Sequence, residues 1–188
     1  MQKNENPVVL SLVLLVISVA VALLLSFTNS ITKEKIAENT IKEQNEAKQS
    51  VLPAASEFID LEYQNGNVNA VFQAVSGEKM LGWCVNVTAY GYGGAIDIMV
   101  GVNPDLTLSG VKVVSNSETA GLGAKCADDT FSGQFLGKFA PLSVIKNGTA
   151  DDNEIVAITG ATVTSKAVTN GVNSAIEAVK AVGGGLYD

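Results

Sequence analysis

From Val8 to Phe27 every position is apolar except Ser11, Ser18 and Ser26. A helix of about 20 such residues spans about 30 Å, the hydrocarbon thickness of a bilayer, and lipid offers no partner to an unpaired peptide group. Residues 8–28 are therefore expected to form a transmembrane helix, preceded by a short tail over residues 1–7, with Pro7 at the helix start where proline is tolerated. The only good A-x-A sequence, Ala20-Val21-Ala22, lies inside the run rather than after it. That favours an uncleaved anchor over a signal peptide. Lys33, Lys35 and Lys42 come after the run while Lys3 precedes it, so local charge opposes translocation of the C-terminal part of the chain.

Residues 29–50 are polar, with Ile31, Ile36, Ile41 and Ala47 as a thin apolar stripe, which predicts a solvated helical stalk or linker. Residues 51–188 suffice for one hydrophobic core and are too few for two domains. Strands dominate the first part of this domain. Met80 to Tyr90 is rich in β-branched and aromatic residues, and Ile96, Ile98, Val100 and Val102 alternate with Asp97, Met99 and Gly101. Leu106, Leu108, Val111 and Val113 continue the pattern after a Pro104-Asp105 turn. Phe131, Phe135 and Phe139 recur every four residues and predict a short amphipathic helix, and Ile155 to Ile158 a brief strand. A last helix over Ser165 to Val182 carries Val168, Val172, Ala175, Ile176, Val179 and Val182 on one face and is stopped by Gly183-Gly184-Gly185. Strands first and helices later argue for an α+β domain without internal repeats.

Composition narrows the chemistry. The chain carries 12 basic and 19 acidic side chains, net charge −7, and every basic residue is Lys. With no His and no Arg, His-based catalysis, His metal ligation and C-x-x-C-H haem attachment are excluded. A sequence pI near 4.6 has the wrong sign for nucleic acid. Cys84 and Cys126 cannot make a four-thiolate site within the chain; they are two buried thiols or one disulfide.

The stretch Thr159-Gly160-Ala161-Thr162-Val163-Thr164-Ser165 lies between the last expected strand and the last helix. Small residues there let backbone approach an anion, and the first free N–H groups and dipole of a helix favour phosphate. The simpler alternative is that Thr162, Thr164 or Ser165 N-caps the helix and Gly160 makes the turn. The stretch is not a Walker A loop.

T-G-A-T-V-T resembles the [ST]-G-A-T-x-T signature of covalent flavoproteins, in which FMN is joined through its phosphate to the last threonine. Two further stretches are similar to boxes of the same family: Ser117-Glu118-Thr119-Ala120-Gly121-Leu122-Gly123 and Gly91-Tyr92-Gly93-Gly94-Ala95-Ile96. Ala120 and Ala95 stand where proline is usual, and Asn116 where some members have His. The order of anchor, stalk, these three motifs and a terminal helix resembles the G subunit of the Rnf complex, the ion-translocating ferredoxin:NAD oxidoreductase. The C subunit of sodium-translocating NADH:quinone reductase shares the domain but is usually longer.

The resemblance implies an electron-carrying flavoprotein subunit of a translocase, with no complete active site of its own. One FMN would be esterified to Thr164 by a separate flavin transferase that uses FAD. Gly160, Ala161, Thr162 and Ser165 would shape the phosphate turn, and Glu118, Thr119, Gly121, Leu122 and Gly123 would line the ring. Lys125 and Lys166 are weaker candidates for favouring a reduced anionic flavin. The implied partners are the other membrane and peripheral subunits of the complex. The implied location is the bacterial inner membrane, with the N-terminus cytoplasmic and the flavin domain on the extracytoplasmic side. The alternatives are a stand-alone FMN-domain redox protein, a quinone-reductase C subunit, or a tethered scaffold domain without redox function.

Overall fold

The computed structural model describes residues 7–183; the tail before Pro7 and the Gly184-Gly185 part of the expected helix stop lie outside the described residues. The chain divides into two compact units, Met1–Lys42 and Glu43–Asp188. Helix α1 runs from Pro7 to Val51. Its Pro7–Lys33 part contains an 18-residue window of mean hydropathy 3.2 and is long and apolar enough to cross a membrane. Within this first unit the polar part is sustained by helix propensity and local bonds such as the Lys35–Glu38 ion pair at 2.8 Å.

In the second unit, β1 (Glu57–Asp60), β2 (Val68–Ser76), β3 (Lys79–Tyr90), β4 (Ala95–Val102) and β5 (Leu108–Asn116) form an antiparallel meander in chain order. The sheet is covered on both faces, so its strands bury both sets of alternating side chains. Val85, Val87, Ile96, Ile98, Val100, Val111 and Val113 join a core with Val168, Val172, Ala175, Ile176 and Val179 of α3 (Thr162–Val182). Cys84 and Met99, from the alternate positions, pack with Ala74 of β2 and with Ala47, Val51, Leu52 and Ala55. The close of α1 is thus part of the folded domain. Gly101 and Gly110 permit that approach: a Cβ at Gly101 would stand 2.9 Å from the Val51 carbonyl oxygen and one at Gly110 would touch Val51 Cα at 3.4 Å. The Ser109 hydroxyl donates to the same Val51 carbonyl at 2.8 Å.

Three local expectations need correction. Leu106 is not in a strand: it has φ 66° inside a turn that extends to Thr107, where Asn103 N–H donates to the Thr107 carbonyl and Asp105 accepts from Thr107. The Phe131–Phe139 helix is only a fragment, α2 (Asp129–Ser132), followed by a single 3₁₀ turn, Gly133–Phe135. Phe131 and Phe135 pack edge to face at 5.6 Å, but Phe139 is exposed beyond Gly137, whose φ of 74° ends the run. The strand expected to Ile158 is β7 (Glu154–Val156), which ends sooner and pairs in parallel with the short β6 (Ser143–Ile145).

Both cysteines are free and buried, each in a different hydrophobic cluster: Cys84 with the close of α1, Cys126 with α3. Of the two alternatives for the pair, the structure has the thiols.

Candidate functional site

Helix α3 begins at Thr162, earlier than the apolar stripe alone indicates, so Thr164 lies in its first turn. Ala161 is the N-cap and no side chain makes a capping hydrogen bond, which removes the simple capping role for Thr162, Thr164 and Ser165. The Ser165 hydroxyl is engaged in the turn instead. It donates to the Ala161 carbonyl at 2.9 Å and accepts from Ile158 N–H at 3.0 Å. That closes the turn between β7 and α3, for which Gly160 supplies a φ of 79°. First-turn N–H groups without a cap are the donors a helix offers to an anion.

Thr164 is only 1% exposed. Its hydroxyl donates to Glu118 Oε2 at 2.6 Å, and the other carboxylate oxygen, Oε1, accepts from Gly93 N–H at 2.8 Å. The backbone of Glu118 is itself turned by Asn116, whose Oδ1 accepts from Glu118 N–H at 3.1 Å. Glycines make the close packing possible. A Cβ at Gly91 would collide with Glu118 Oε1, one at Gly123 with Glu118 Oε2, and one at Gly93 with the Ser117 carbonyl. The three motifs, far apart in sequence, therefore meet at one carboxylate and one hydroxyl.

Beside this pair is a cavity of about 480 Å³, within the ordinary range of ligand sites. Glu118, Thr119, Leu122 and Gly123 from one loop, and Gly160, Ala161, Thr162 and Thr164 from the helix start, form its wall. Gly121 is not on the wall; its φ of 78° turns the loop that puts Leu122 there. Ser165, Lys125 and Lys166 are not on it either. Two wall residues fall outside the set expected from sequence. Tyr92 is 81% exposed and Val163 54% exposed, and with Leu122 at 46% they give the cavity an apolar mouth. The signal for both was present, since Tyr92 sits in the glycine-rich turn and Val163 at the variable position of T-G-A-T-V-T. Burial raises the neighbouring Cys126 thiol to about 11, helped by the Glu118 charge. No group of three or more metal-ligating side chains occurs among the described residues.

A family model described as an FMN-binding domain matches residues 91–177, the stretch that contains all three motifs. The chain is 36% identical over 185 residues to the G subunit of the Na(+)-translocating ferredoxin:NAD(+) oxidoreductase complex of Acetobacterium woodii, with 89% of each chain covered. It is 37% identical over 155 residues to the G subunit of the proton-translocating ferredoxin:NAD(+) oxidoreductase complex of Clostridium ljungdahlii, with 82% of each covered. In fold it is similar to the C subunit of the Na(+)-translocating NADH-quinone reductase of Parabacteroides distasonis, at a TM-score of 0.58 and 21% identity. That match covers 78% of this chain and 93% of the other.

Proposed function

The chain belongs to the G-subunit family of ion-translocating oxidoreductase (Rnf) complexes, and from that premise we propose that it carries its FMN as a phosphoester on Thr164. It is an FMN-binding, electron-carrying member of such a complex, with one apolar N-terminal helix as its membrane anchor.

The observation that carries the attachment reading is the Thr164 hydroxyl, buried at an uncapped helix start on the wall of a cavity of ligand size. When bound, FMN supplies the one- and two-electron redox chemistry that this chain's side chains lack. The residues present fit the group. The first-turn N–H groups of α3 and its dipole would hold a phosphodiester, an effect of about 0.3–1 kcal/mol at an exposed site and more when partly buried. Gly160 lets the backbone come close to the phosphate. Tyr92, Leu122 and Val163 would give a planar ring an apolar surround, and Thr119 on the same wall would add a polar group. A covalent bond also replaces the Arg clamp that this composition cannot provide.

A separate flavin transferase that uses FAD makes the bond, and the remaining subunits of the complex are the partners. The flavin domain lies on the extracytoplasmic side. Long domains translocate whatever their flanking charge, so Lys33, Lys35 and Lys42 do not oppose this strongly.

The test is the Thr164→Ala variant, matured in cells that contain the transferase. The wild-type chain keeps flavin fluorescence in a denaturing gel and gains the mass of one FMN less one water. Thr164→Ala shows neither, while it still inserts and folds. Fluorescence that survives in the variant would refute the acceptor. An unmodified wild-type mass would instead favour a tethered scaffold.

A further inference from the structure

We propose that Glu118 is the general base of the attachment reaction, taking the Thr164 proton as that oxygen attacks phosphorus. This rests on Thr164 being the acceptor. An aliphatic hydroxyl is a weak nucleophile and is normally activated by an adjacent base, so the acceptor side of the reaction needs a proton sink. The chain has no His, and neither Lys125 nor Lys166 reaches the cavity wall. Glu118 does reach it, and its Oε2 already accepts the Thr164 proton in a 2.6 Å hydrogen bond. Such a short bond to a carboxylate is the geometry from which proton transfer proceeds.

The carboxylate is also oriented. Gly93 N–H occupies Oε1 at 2.8 Å, which leaves Oε2 to the hydroxyl. Gly91 and Gly123 are both places where a Cβ would displace one of these two oxygens. Separate backbone positions in two of the motifs thus converge on the placement of one carboxylate. A helix cap or a solvated surface glutamate requires none of them.

The step balances without redox change. The Thr164 Oγ–P bond forms to the FMN phosphorus of FAD, and the P–O bond to the adenylate breaks. The adenylate leaves with that electron pair, and the hydroxyl proton moves to Glu118 Oε2. Neutralising Glu118 in this way avoids placing two negative charges side by side once the phosphodiester is made.

The experiment uses the full chain in detergent with purified flavin transferase and FAD, reading the single-turnover rate of FMN incorporation by intact mass. Glu118→Gln keeps the shape and an oxygen acceptor but cannot take the proton. It is expected to lose about 100-fold or more in rate. Glu118→Asp, which keeps a carboxylate, should remain much closer to wild type. A Glu118→Gln rate equal to wild type overturns the proposal, as do equally slow Gln and Asp variants, which would mean that any disturbance of the hydrogen-bonded pair, rather than loss of the base, slows incorporation. Thermal midpoints check folding. Should Glu118→Gln not fold, Glu118→Ala with added formate replaces it: restored incorporation supports the base and unrestored incorporation overturns it. A wild-type chain that gains no FMN mass overturns the acceptor reading itself, whereas a loaded wild type beside an equally fast Glu118→Gln overturns only the base.

Discussion

At the scale of single residues, Gly123 sets the tolerance of the site. It is buried, and a Cβ there would lie 2.8 Å from Thr164 Oγ1 and closer still to Glu118 Oε2. The two atoms bond each other and the carboxylate's other oxygen is held by Gly93 N–H, so an added methyl must part the hydroxyl from the carboxylate. Gly123→Ala is expected to fold with a loss of about 1–3 kcal/mol, the ordinary cost of overpacking. Its FMN incorporation is expected to fall at least tenfold. Chemical denaturation and intact mass check the two outcomes separately, and a stable variant that loads fully would show that the pair need not touch. The glycines and hydroxyls of this site were legible in the sequence because each motif is contiguous. The Thr164–Glu118 bond was not, because nothing local specifies which distant carboxylate a helix start will meet. The role of Ser165 was also hidden: a hydroxyl near a helix start reads as a cap or a ligand, whereas here it bonds back to Ala161 and Ile158.

At the scale of elements, the two sheet faces treat their thiols alike. Burial pushes Cys84 from the ordinary 9.0 up to about 12, with Lys48 offsetting it only in part, and pushes Cys126 up to about 11. Cys84 also donates to the Lys48 carbonyl at 3.8 Å, where the close of α1 covers it. A raised folded-state value means that the unfolded chain loses its thiol protons first as pH rises. The contribution to stability is therefore full below pH 9.0 and erodes through the folded values, at about 1.4 kcal/mol per pH unit for each fully shifted thiol. Denaturant midpoints followed from about pH 8 to about pH 11 should fall above pH 9.0. The fall should be shallower in a Cys84→Ala, Cys126→Ala double variant. An unchanged slope there would mean that the thiols ionise freely in the fold. Strand β4 and helix α3 were readable because each is periodic, and β3 because it is long and rich in β-branched and aromatic residues. The phenylalanine spacing misled because two glycines interrupt it. The pairing of β6 with β7 left no readable period in strands so short.

At the scale of the whole molecule, polarity and folding divide the chain at different places. The apolar anchor gives way to a polar helix near Lys33, yet the compact second unit begins at Glu43, inside that polar helix. Composition could not show this. Ala47 and Val51 are sparse apolar positions on a mostly polar segment, and their burial depends on Gly101 and Gly110 of a sheet that lies much later in sequence. A chain starting at Glu43 keeps Ala47, Val51 and Lys48, whose ammonium lies 4.3 Å from the Phe72 ring centroid and 5.5 Å from that of Phe58. It is expected to be a soluble, cooperatively folding FMN acceptor. A chain starting at Leu52 loses the partner of the Ser109 hydroxyl and the cover of Cys84 and Met99. Removing one buried valine alone costs about 1.5–3 kcal/mol, and the uncovered sheet face adds to that. The shorter chain should therefore melt well below the longer one or aggregate, and iodoacetamide should label its Cys84 readily. Equal thermal midpoints and equal labelling would mean that the close of α1 lies on the sheet without stabilising it. In that case the folded domain would begin where the polar stretch ends, at residue 51.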